Sequence, residues 1–482
     1  MTAARQPRRC GRRTVLLGGL GMAAGLAAGG GSAVRSAMGA MASIDTGDGR
    51  AGQQEQRSHR LLPAGYLRTQ GASIVDGGGT AVRLAGVNWY GFETPAMVVG
   101  GLDHQTVDGI CARILELGFN MIRLPFSLEM ARSEDGVTEH LDREPALRGL
   151  RPLEIMDRVI VAAGRHGLKV VLDSHRSDAA WSLQGNGLWY TPEYTEAVWI
   201  ETWVRLVERY RDMPTVVGCD LRNEPGDPPQ DATAPPGLGG ARWGAGGDGR
   251  DWAAAAERAG NAILDHHANL LICVEGVRDD PAGPWLDGAR QGYWPGGNLS
   301  GVGRAGGDRR AARPIRLSRP DRLVYSAHDY GSDMSPHQPW TQLGSTASNA
   351  QACRSVWDQT WGYLVRENIA PVWIGEFGTP NGQRTGDTTP AEEFTDVNDH
   401  TPQGAWFTYL VDYIRDLGLS WSIWALNGTQ SAGSGRSAAD PEWYGVLDPT
   451  WTRPASPSMM AHLRTIQATD PDLRAGQRAG VR

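Results

Sequence analysis

The sequence VVGCDLRNEP, at residues 216–225, begins as an apolar run and ends in charged and amide residues. Its first half has the uninterrupted hydrophobicity of a strand that is buried on both faces, as strands of parallel sheets are. Its second half carries side chains that are costly to bury without partners. The segment therefore predicts a buried parallel strand whose carboxyl end opens onto a polar site.

The same unit recurs along the chain, and a helical pattern follows most copies. The eight apolar runs lie at 84–89, 121–125, 169–175, 216–224, 270–276, 323–330, 372–378 and 421–427. Amphipathic helical stretches lie at 107–117, 153–166, 199–210, 252–264 and 406–417. Repeated strand–helix alternation predicts an α/β fold, a (β/α)8 TIM barrel, whose strand ends converge on one mouth. An open doubly wound sheet is the alternative, but the first run lacks the phosphate-binding glycine fingerprint.

Composition and charge narrow the class of protein. The chain has 482 residues, with 47 Lys and Arg against 54 Asp and Glu, for a net charge of −7. This balance disfavours a general nucleic-acid binder, which needs clustered cations. The 18 tryptophans outnumber both tyrosine and phenylalanine, and flat indoles suit carbohydrate clefts. We expect a soluble monomer that handles a sugar.

The amino terminus resembles an export signal. Arg12-Arg13-Thr14-Val15-Leu16 precedes a weakly apolar, Gly/Ala-rich run, the pattern of a twin-arginine signal, and cleavage is expected after Ala33 or Ala42. Glycine dilutes the run too much for a membrane anchor, and no later segment is apolar enough to span a bilayer. We expect a signal at 1–42, a variable segment at 43–63, one barrel domain with an initial β-hairpin at 64–465, a tail at 466–482, and secretion.

Two carboxylates mark the predicted mouth of the barrel. Glu224 closes the fourth run and Glu376 lies near the end of the seventh, so both are expected to point inward from opposite sides. Paired carboxylates are the machinery of glycoside hydrolysis. A gap of about 5–5.5 Å between them would predict retention of configuration, and a gap of about 9 Å would leave room for a water and predict inversion.

Ordered motifs on successive runs resemble glycoside hydrolase family 5, in particular its actinobacterial endo-β-1,4-glucanases. The likeness extends from about residue 66 to about residue 451. The matching motifs are AGVNWYGFET (85–94), IRLP (122–125), HRSD (175–178), RNEP (222–225), SAHDY (326–330), WIGEFG (373–378) and WSIWALN (421–427). The resemblance implies a retaining enzyme without a cofactor that acts on β-linked polysaccharide. It also implies that Glu224 is the general acid/base and Glu376 the nucleophile.

Other side chains at the strand ends are expected to support this pair. Arg123 and Tyr330 are expected to hydrogen-bond Glu376 and keep it anionic, and Asn223 to bind the sugar 2-hydroxyl. His175 and His328 are expected to hydrogen-bond sugar hydroxyls or the carboxylates.

Two further predictions concern metal binding and sugar stacking. The two histidines are not expected to bind a metal, because the sequence shows no companion Asp/Cys cluster. Trp424 is the expected stacking platform under the sugar, and Trp89 is a second candidate.

The sequence leaves open which polysaccharide the protein acts on, and whether it is catalytic. A mannanase or a β-1,3- or mixed-linkage glucanase would use the same scaffold, because fold and catalytic pair do not determine the sugar. A non-catalytic carbohydrate-binding barrel is the alternative from another class. Loop insertions at 228–250, 296–319 and 379–402 are expected to shape the cleft, and no accessory binding module is expected.

Overall fold

The computed structural model describes most of the predicted barrel domain. The described residues are 62–181, 185–226, 240–244, 249–278, 293–303, 312–334, 347–381, 402–431 and 437–467. The expected export signal and most of the variable segment and tail lie outside them, as do most of the insertions at 228–250 and 379–402 and part of that at 296–319. Within the described ranges, every helix is too short or too polar to cross a bilayer.

Eight parallel strands close into a barrel in the order β10-β3-β4-β5-β6-β7-β8-β9, which confirms the predicted fold. The barrel strands are β3 Ala85–Asn88, β4 Met121–Ser127, β5 Lys169–Arg176, β6 Val216–Asp220, β7 Leu271–Glu275, β8 Leu323–Tyr330, β9 Val372–Gly378 and β10 Ser420–Ile423. An antiparallel hairpin of β1 Arg68–Gln70 and β2 Ser73–Val75 precedes them, as expected.

Helices follow the strands, and five of them lie at the predicted places. They are α1 Val107–Glu116, α2 Leu128–Arg132, α3 Pro152–Arg165, α4 Glu196–Arg209, α5 Trp252–His266, α6 Ser300–Gly303, α7 Ala347–Trp357, α8 Tyr363–Arg366, α9 Pro402–Leu417 and α10 Pro457–Gln467. Side-chain caps begin several of them; for example, Thr106 accepts from the Gly109 N–H before α1, Thr195 from Val198 before α4, and Asp251 from Ala254 before α5.

The barrel interior changes character from one end to the other. At the amino ends of the strands, side chains such as Met121, Val217 and Trp373 form a buried apolar cluster with Leu67 and Ile74 of the hairpin. This cluster fills the interior at that end, as barrels of this size require. Toward the carboxyl ends, the buried side chains include the charged residues Arg123, Asp220, Glu275 and Glu376. These charged groups therefore share one mouth of the barrel.

Tryptophans and cysteines mostly pack the core. Trp199, Trp203, Trp252, Trp357 and Trp361 are fully buried, as their helical spacing predicts. The four cysteines of the described chain, Cys111, Cys219, Cys273 and Cys353, are free and buried. They act as small hydrophobic side chains.

Candidate active site

Arg123 lies at the centre of the charged end of the barrel and is fully buried. Its contacts are Nε to Asp220 Oδ2 at 2.9 Å, Nη1 to Asn88 Oδ1 at 3.0 Å and Glu376 Oε1 at 2.5 Å, and Nη2 to Asn223 Oδ1 at 3.0 Å, Asp173 Oδ2 at 3.1 Å and Glu275 Oε1 at 3.2 Å. Burial opposes the charge of Arg123, but the surrounding carboxylates raise its pKa well above the usual value. One guanidinium thus contacts six residues from five strands or strand ends.

Glu376, on β9, is held by two donors. Arg123 Nη1 donates to Oε1, and the Tyr330 hydroxyl donates to Oε2 at 3.0 Å. Burial raises the pKa of Glu376, while the charge of Arg123 opposes that rise. The carboxylate is therefore oriented by two hydrogen bonds and has a cation beside it, which favours its ionised form. These are the contacts expected from the sequence.

Glu224 follows β6 and has different surroundings. The Trp294 indole N–H donates to its Oε1 at 2.7 Å, and His328 Nδ1 lies 3.1 Å from the same oxygen. Burial raises the pKa of Glu224 to about 7, although the indole hydrogen bond opposes the rise. A carboxyl group with this pKa holds a proton near neutral pH and can give it up, which is the requirement for a general acid/base.

The two carboxyl groups face one another across a short gap. An oxygen of Glu224 and an oxygen of Glu376 lie within 4.8 Å of each other, with a nitrogen of His328 within the same distance. Oxygens this close agree with the short carboxyl spacing of retaining glycosidases, about 5–5.5 Å, and not with the longer spacing of inverting ones. The gap is too small for the water that an inverting mechanism places between sugar and base. The arrangement suits attack by one carboxylate and proton transfer by the other.

Each histidine at the site has a carboxylate beside it. His175 Nδ1 lies 2.6 Å from Asp173 Oδ2, and His328 Nε2 lies 3.2 Å from Glu275 Oε1. Burial lowers the pKa of both histidines to about 3, so both rings are neutral at neutral pH. The sequence-based reason for excluding a metal, a lack of companion acids, is therefore wrong. The positive charge beside these acids comes from Arg123, and the absence of a metal stays a prediction.

The structure places the two tryptophans that were candidates for sugar stacking in different surroundings. Trp424, after β10, is partly exposed and stacks on Tyr90, with ring centroids 5.2 Å apart, and on His175, at 5.5 Å. His175, on which it stacks, has its Nδ1 4.0 Å from Glu376 Oε1, and the role of Trp424 under a sugar stays a prediction. Trp89 is fully buried in the hydrophobic core, and its indole N–H donates to the Gly100 carbonyl. The expectation that Trp89 stacks on a sugar is wrong.

Strand alternation explains the burial of Trp89. Successive side chains of a strand point to opposite faces. Asn88 points into the barrel, where its Oδ1 accepts from Arg123 and its Nδ2 donates to the carbonyls of Gly375 and Ile423. The next residue, Trp89, consequently points out of the barrel into the layer between strands and helices.

Asn223 is oriented by the same guanidinium. Its Oδ1 accepts from Arg123 Nη2, so its amide nitrogen must point the opposite way. The side chain is almost fully buried next to Glu224. It can therefore offer an N–H to a bound molecule at the mouth, as expected for a contact to a sugar hydroxyl.

The structure adds five residues to the predicted site: Asn88, Asp173, Asp220, Glu275 and Trp294. All three acids lie within the apolar runs: Asp220 and Glu275 are the last residues of β6 and β7, and Asp173 lies inside β5. The sequence does carry a signal for these acids, because an acid in an otherwise apolar strand must find a partner. Trp294 lies in a loop after β7, and only the closed structure brings its indole to Glu224.

A closed parallel barrel with two facing carboxylates at the carboxyl ends of its strands defines a glycoside hydrolase. The family model described as cellulase (glycosyl hydrolase family 5) matches residues 75–430. The chain belongs to this family, as the motifs predicted. Enzymes of the family are retaining, in agreement with the short gap between Glu224 and Glu376.

Similar proteins and a similar solved structure support this membership. The chain is 39% identical to an endoglucanase of Paenibacillus polymyxa over 81% of its length and 85% of the relative. It is 32% identical to the major extracellular endoglucanase of Xanthomonas campestris, over 84% of this chain and 72% of the relative. A solved complex of the Pyrococcus horikoshii endocellulase with cellotetraose superposes with a TM-score of 0.68, at 31% identity, covering 84% of this chain and 100% of that one.

Proposed function

We propose that the protein is a retaining endo-β-1,4-glucanase that cleaves cellulose-like chains internally. The observation that carries this is the pair Glu224 and Glu376, whose carboxyl oxygens approach within 4.8 Å and whose electrostatic surroundings differ. We infer the β-1,4 linkage from the relatives, because endoglucanases and an endocellulase match over most of the chain.

Product analysis on defined oligosaccharides tests this proposal. Cello-oligosaccharides should be cleaved at internal bonds, and the first product should have the β-configuration by NMR. Mannan, laminarin and lichenan serve as comparison polymers beside carboxymethylcellulose. Faster cleavage of mannan or laminarin would contradict the β-1,4-glucan assignment, and an α-configured first product would contradict retention.

The first chemical step transfers the sugar to the enzyme. Glu224 donates its proton to the glycosidic oxygen while a carboxylate oxygen of Glu376 bonds to the anomeric carbon. The bond between that carbon and the leaving oxygen breaks, and the electron pair stays with the protonated leaving group. Arg123 and Tyr330 hold the Glu376 carboxylate in one orientation during the attack.

The second step releases the sugar. Glu224, now ionised, takes a proton from a water that attacks the anomeric carbon, and the bond to Glu376 breaks. Charge lost at Glu376 in the first step returns in the second, so Arg123 favours this release by stabilising the departing carboxylate. Two inversions give net retention.

The pH dependence of kcat/KM is expected to have an alkaline limb near pH 7. The first step needs protonated Glu224, whose pKa is raised to about 7, so the rate falls as pH rises through that value. The acid limb reflects ionisation of Glu376, whose raised pKa moves this limb above the ordinary range for glutamate. A pH profile on cellotetraose measures both limbs. An activity that does not decline on the alkaline side would contradict the acid role of Glu224.

Glu224→Gln is expected to affect substrates according to their leaving group. On cello-oligosaccharides, kcat/KM should fall by about 10²- to 10⁴-fold, the usual contribution of general acid catalysis. On 2,4-dinitrophenyl β-cellobioside the fall should be small, because dinitrophenolate leaves without a proton. Equal losses on the two substrates would contradict the acid role.

We also propose that residues 1–42 direct export by the twin-arginine route. The basic pair Arg12-Arg13 and the weakly apolar run after it support this. Replacing both arginines by lysine should keep the enzyme inside the producing cell, while the unchanged chain appears in the medium. Equal export of the two chains would contradict the proposal.

A further inference from the structure

The backbone of Glu224 has a buried partner of its own. The Glu224 N–H donates to Glu275 Oε2 at 2.7 Å. Glu275 is the last residue of β7 and is fully buried. A charged or polar acceptor at such a position is costly unless it is satisfied, so this contact is a specific feature of the site.

Glu224 also has an unusual backbone conformation. Its φ is 51°, in the left-handed region that residues with a Cβ rarely occupy. Such a conformation persists only where neighbouring groups hold it, and it is concentrated at functional sites. The direction in which the Glu224 side chain leaves the backbone depends on this φ. The Glu275 carboxyl is placed to hold it.

In the loop after β7, the described residues Trp294 and Gly296 lie against the same contact. Gly296 has a φ of +78°, and a Cβ there would lie 2.3 Å from Glu275 Oε2 and 3.4 Å from the Glu224 Cα. The Gly276 N–H donates to the Gly296 carbonyl at 2.8 Å, which ties the loop to the strand end. Trp294 in this loop donates to Glu224 Oε1. The loop therefore packs against Glu275 and against Glu224 together.

The other oxygen of Glu275 faces the rest of the site. Oε1 lies 3.2 Å from Arg123 Nη2 and 3.2 Å from His328 Nε2. Arg123 binds Glu376, and His328 Nδ1 lies 3.1 Å from Glu224 Oε1. One carboxyl group thus connects the backbone of Glu224 to the guanidinium that orients Glu376.

We propose that Glu275 is a positioning residue for the general acid, which it aims at the glycosidic oxygen by accepting the Glu224 N–H. This inference rests on the proposed acid role of Glu224. It predicts that loss of the acceptor impairs protonation of the leaving group and leaves the attack of Glu376 nearly intact, because Glu376 keeps Arg123 Nη1 and Tyr330 as donors. A structural role alone would impair both.

Glu275→Met tests the proposal, because it removes the acceptor and keeps an unbranched side chain of similar length. On cello-oligosaccharides, kcat/KM should fall by about 10²-fold or more, within the range of general acid catalysis. On 2,4-dinitrophenyl β-cellobioside it should fall several-fold at most. Glu275→Gln keeps one acceptor oxygen and should recover most of the activity on the oligosaccharides.

Two further variants keep the test decisive. Asp220→Asn is the matched control, since Asp220 is equally buried, binds Arg123 Nε at 2.9 Å and takes no described hydrogen bond from Glu224. Any loss in this variant should be equal on the two substrates. Gly296→Ala places a methyl group against Glu275 Oε2 and should reproduce the selective loss. It decides the question if Glu275→Met does not fold by circular dichroism.

The outcomes separate this inference from the function on which it rests. Selective loss in Glu275→Met, or in Gly296→Ala where Glu275→Met does not fold, supports the positioning role. Equal losses on both substrates, or none, in a folded variant overturn it, provided that Glu224→Gln remains selective. If Glu224→Gln itself loses activity equally on both substrates, the acid assignment fails and the inference fails with it.

Discussion

Replacing Glu376 by alanine is expected to reduce hydrolysis of every substrate by about 10⁴- to 10⁶-fold, the size of loss seen when a nucleophile is removed. No other carboxylate of the described site has both Arg123 and Tyr330 as donors, so none can replace it in the attack. The loss should be as large on 2,4-dinitrophenyl β-cellobioside as on cellotetraose, because both need the nucleophile. Steady-state rates on the two substrates measure the effect.

Measuring the affinity of the variant for substrate provides the control. Glu376→Ala should retain its affinity for cellotetraose within about tenfold by calorimetry, since the predicted stacking and hydroxyl contacts involve Trp424 and Asn223. Glu139→Ala, a change at an exposed position, should leave both rate and affinity unchanged. Turnover of Glu376→Ala within about 100-fold of the unchanged enzyme would contradict its assignment as nucleophile.

Replacing Arg123 by methionine is expected to lower the free energy of unfolding by about 3–5 kcal/mol, the cost of breaking a buried ion pair on one side. Arg123 is fully buried and contacts the carboxylates of Asp173, Asp220, Glu275 and Glu376. Without the guanidinium these groups must take up protons or remain unpaired in a low-dielectric interior. Urea unfolding followed by tryptophan fluorescence measures the loss.

The loss of stability in Arg123→Met should depend on pH. The charge of Arg123 opposes the rise in pKa that burial causes in these carboxylates, so the variant has higher pKa values at the site. Its deficit should be largest at neutral pH, where those groups would ionise, and smaller in mild acid. Arg113→Met is the control, because Arg113 pairs with Glu116 on the surface, where such pairs contribute about 1 kcal/mol or less. Equal losses in the two variants would contradict the central role of Arg123.

Local patterning was sufficient to predict the barrel. Each run such as 216–224 combines a continuous apolar stretch with a polar end, and each helix such as α4 repeats its apolar residues at helical spacing. These signals depend on neighbours only a few residues away, which is why the strand and helix positions agree with the structure. Both catalytic candidates follow from the same rule, because strand ends of a barrel share one mouth.

The chain sequence by itself determined the eight strands, their helices and the two facing glutamates, since periodicity and strand polarity are written into consecutive residues. Closure of the barrel decided the rest: that Arg123 has Asp173, Asp220 and Glu275 beside it as well as Glu376, that Glu275 accepts the backbone N–H of Glu224, and that Trp89 points outward. These partners come from strands up to about 250 positions apart in the chain (the separation of Arg123 and Glu376 is 253). Burial then sets which carboxyl groups keep their protons, because desolvation depends on all the neighbours at once.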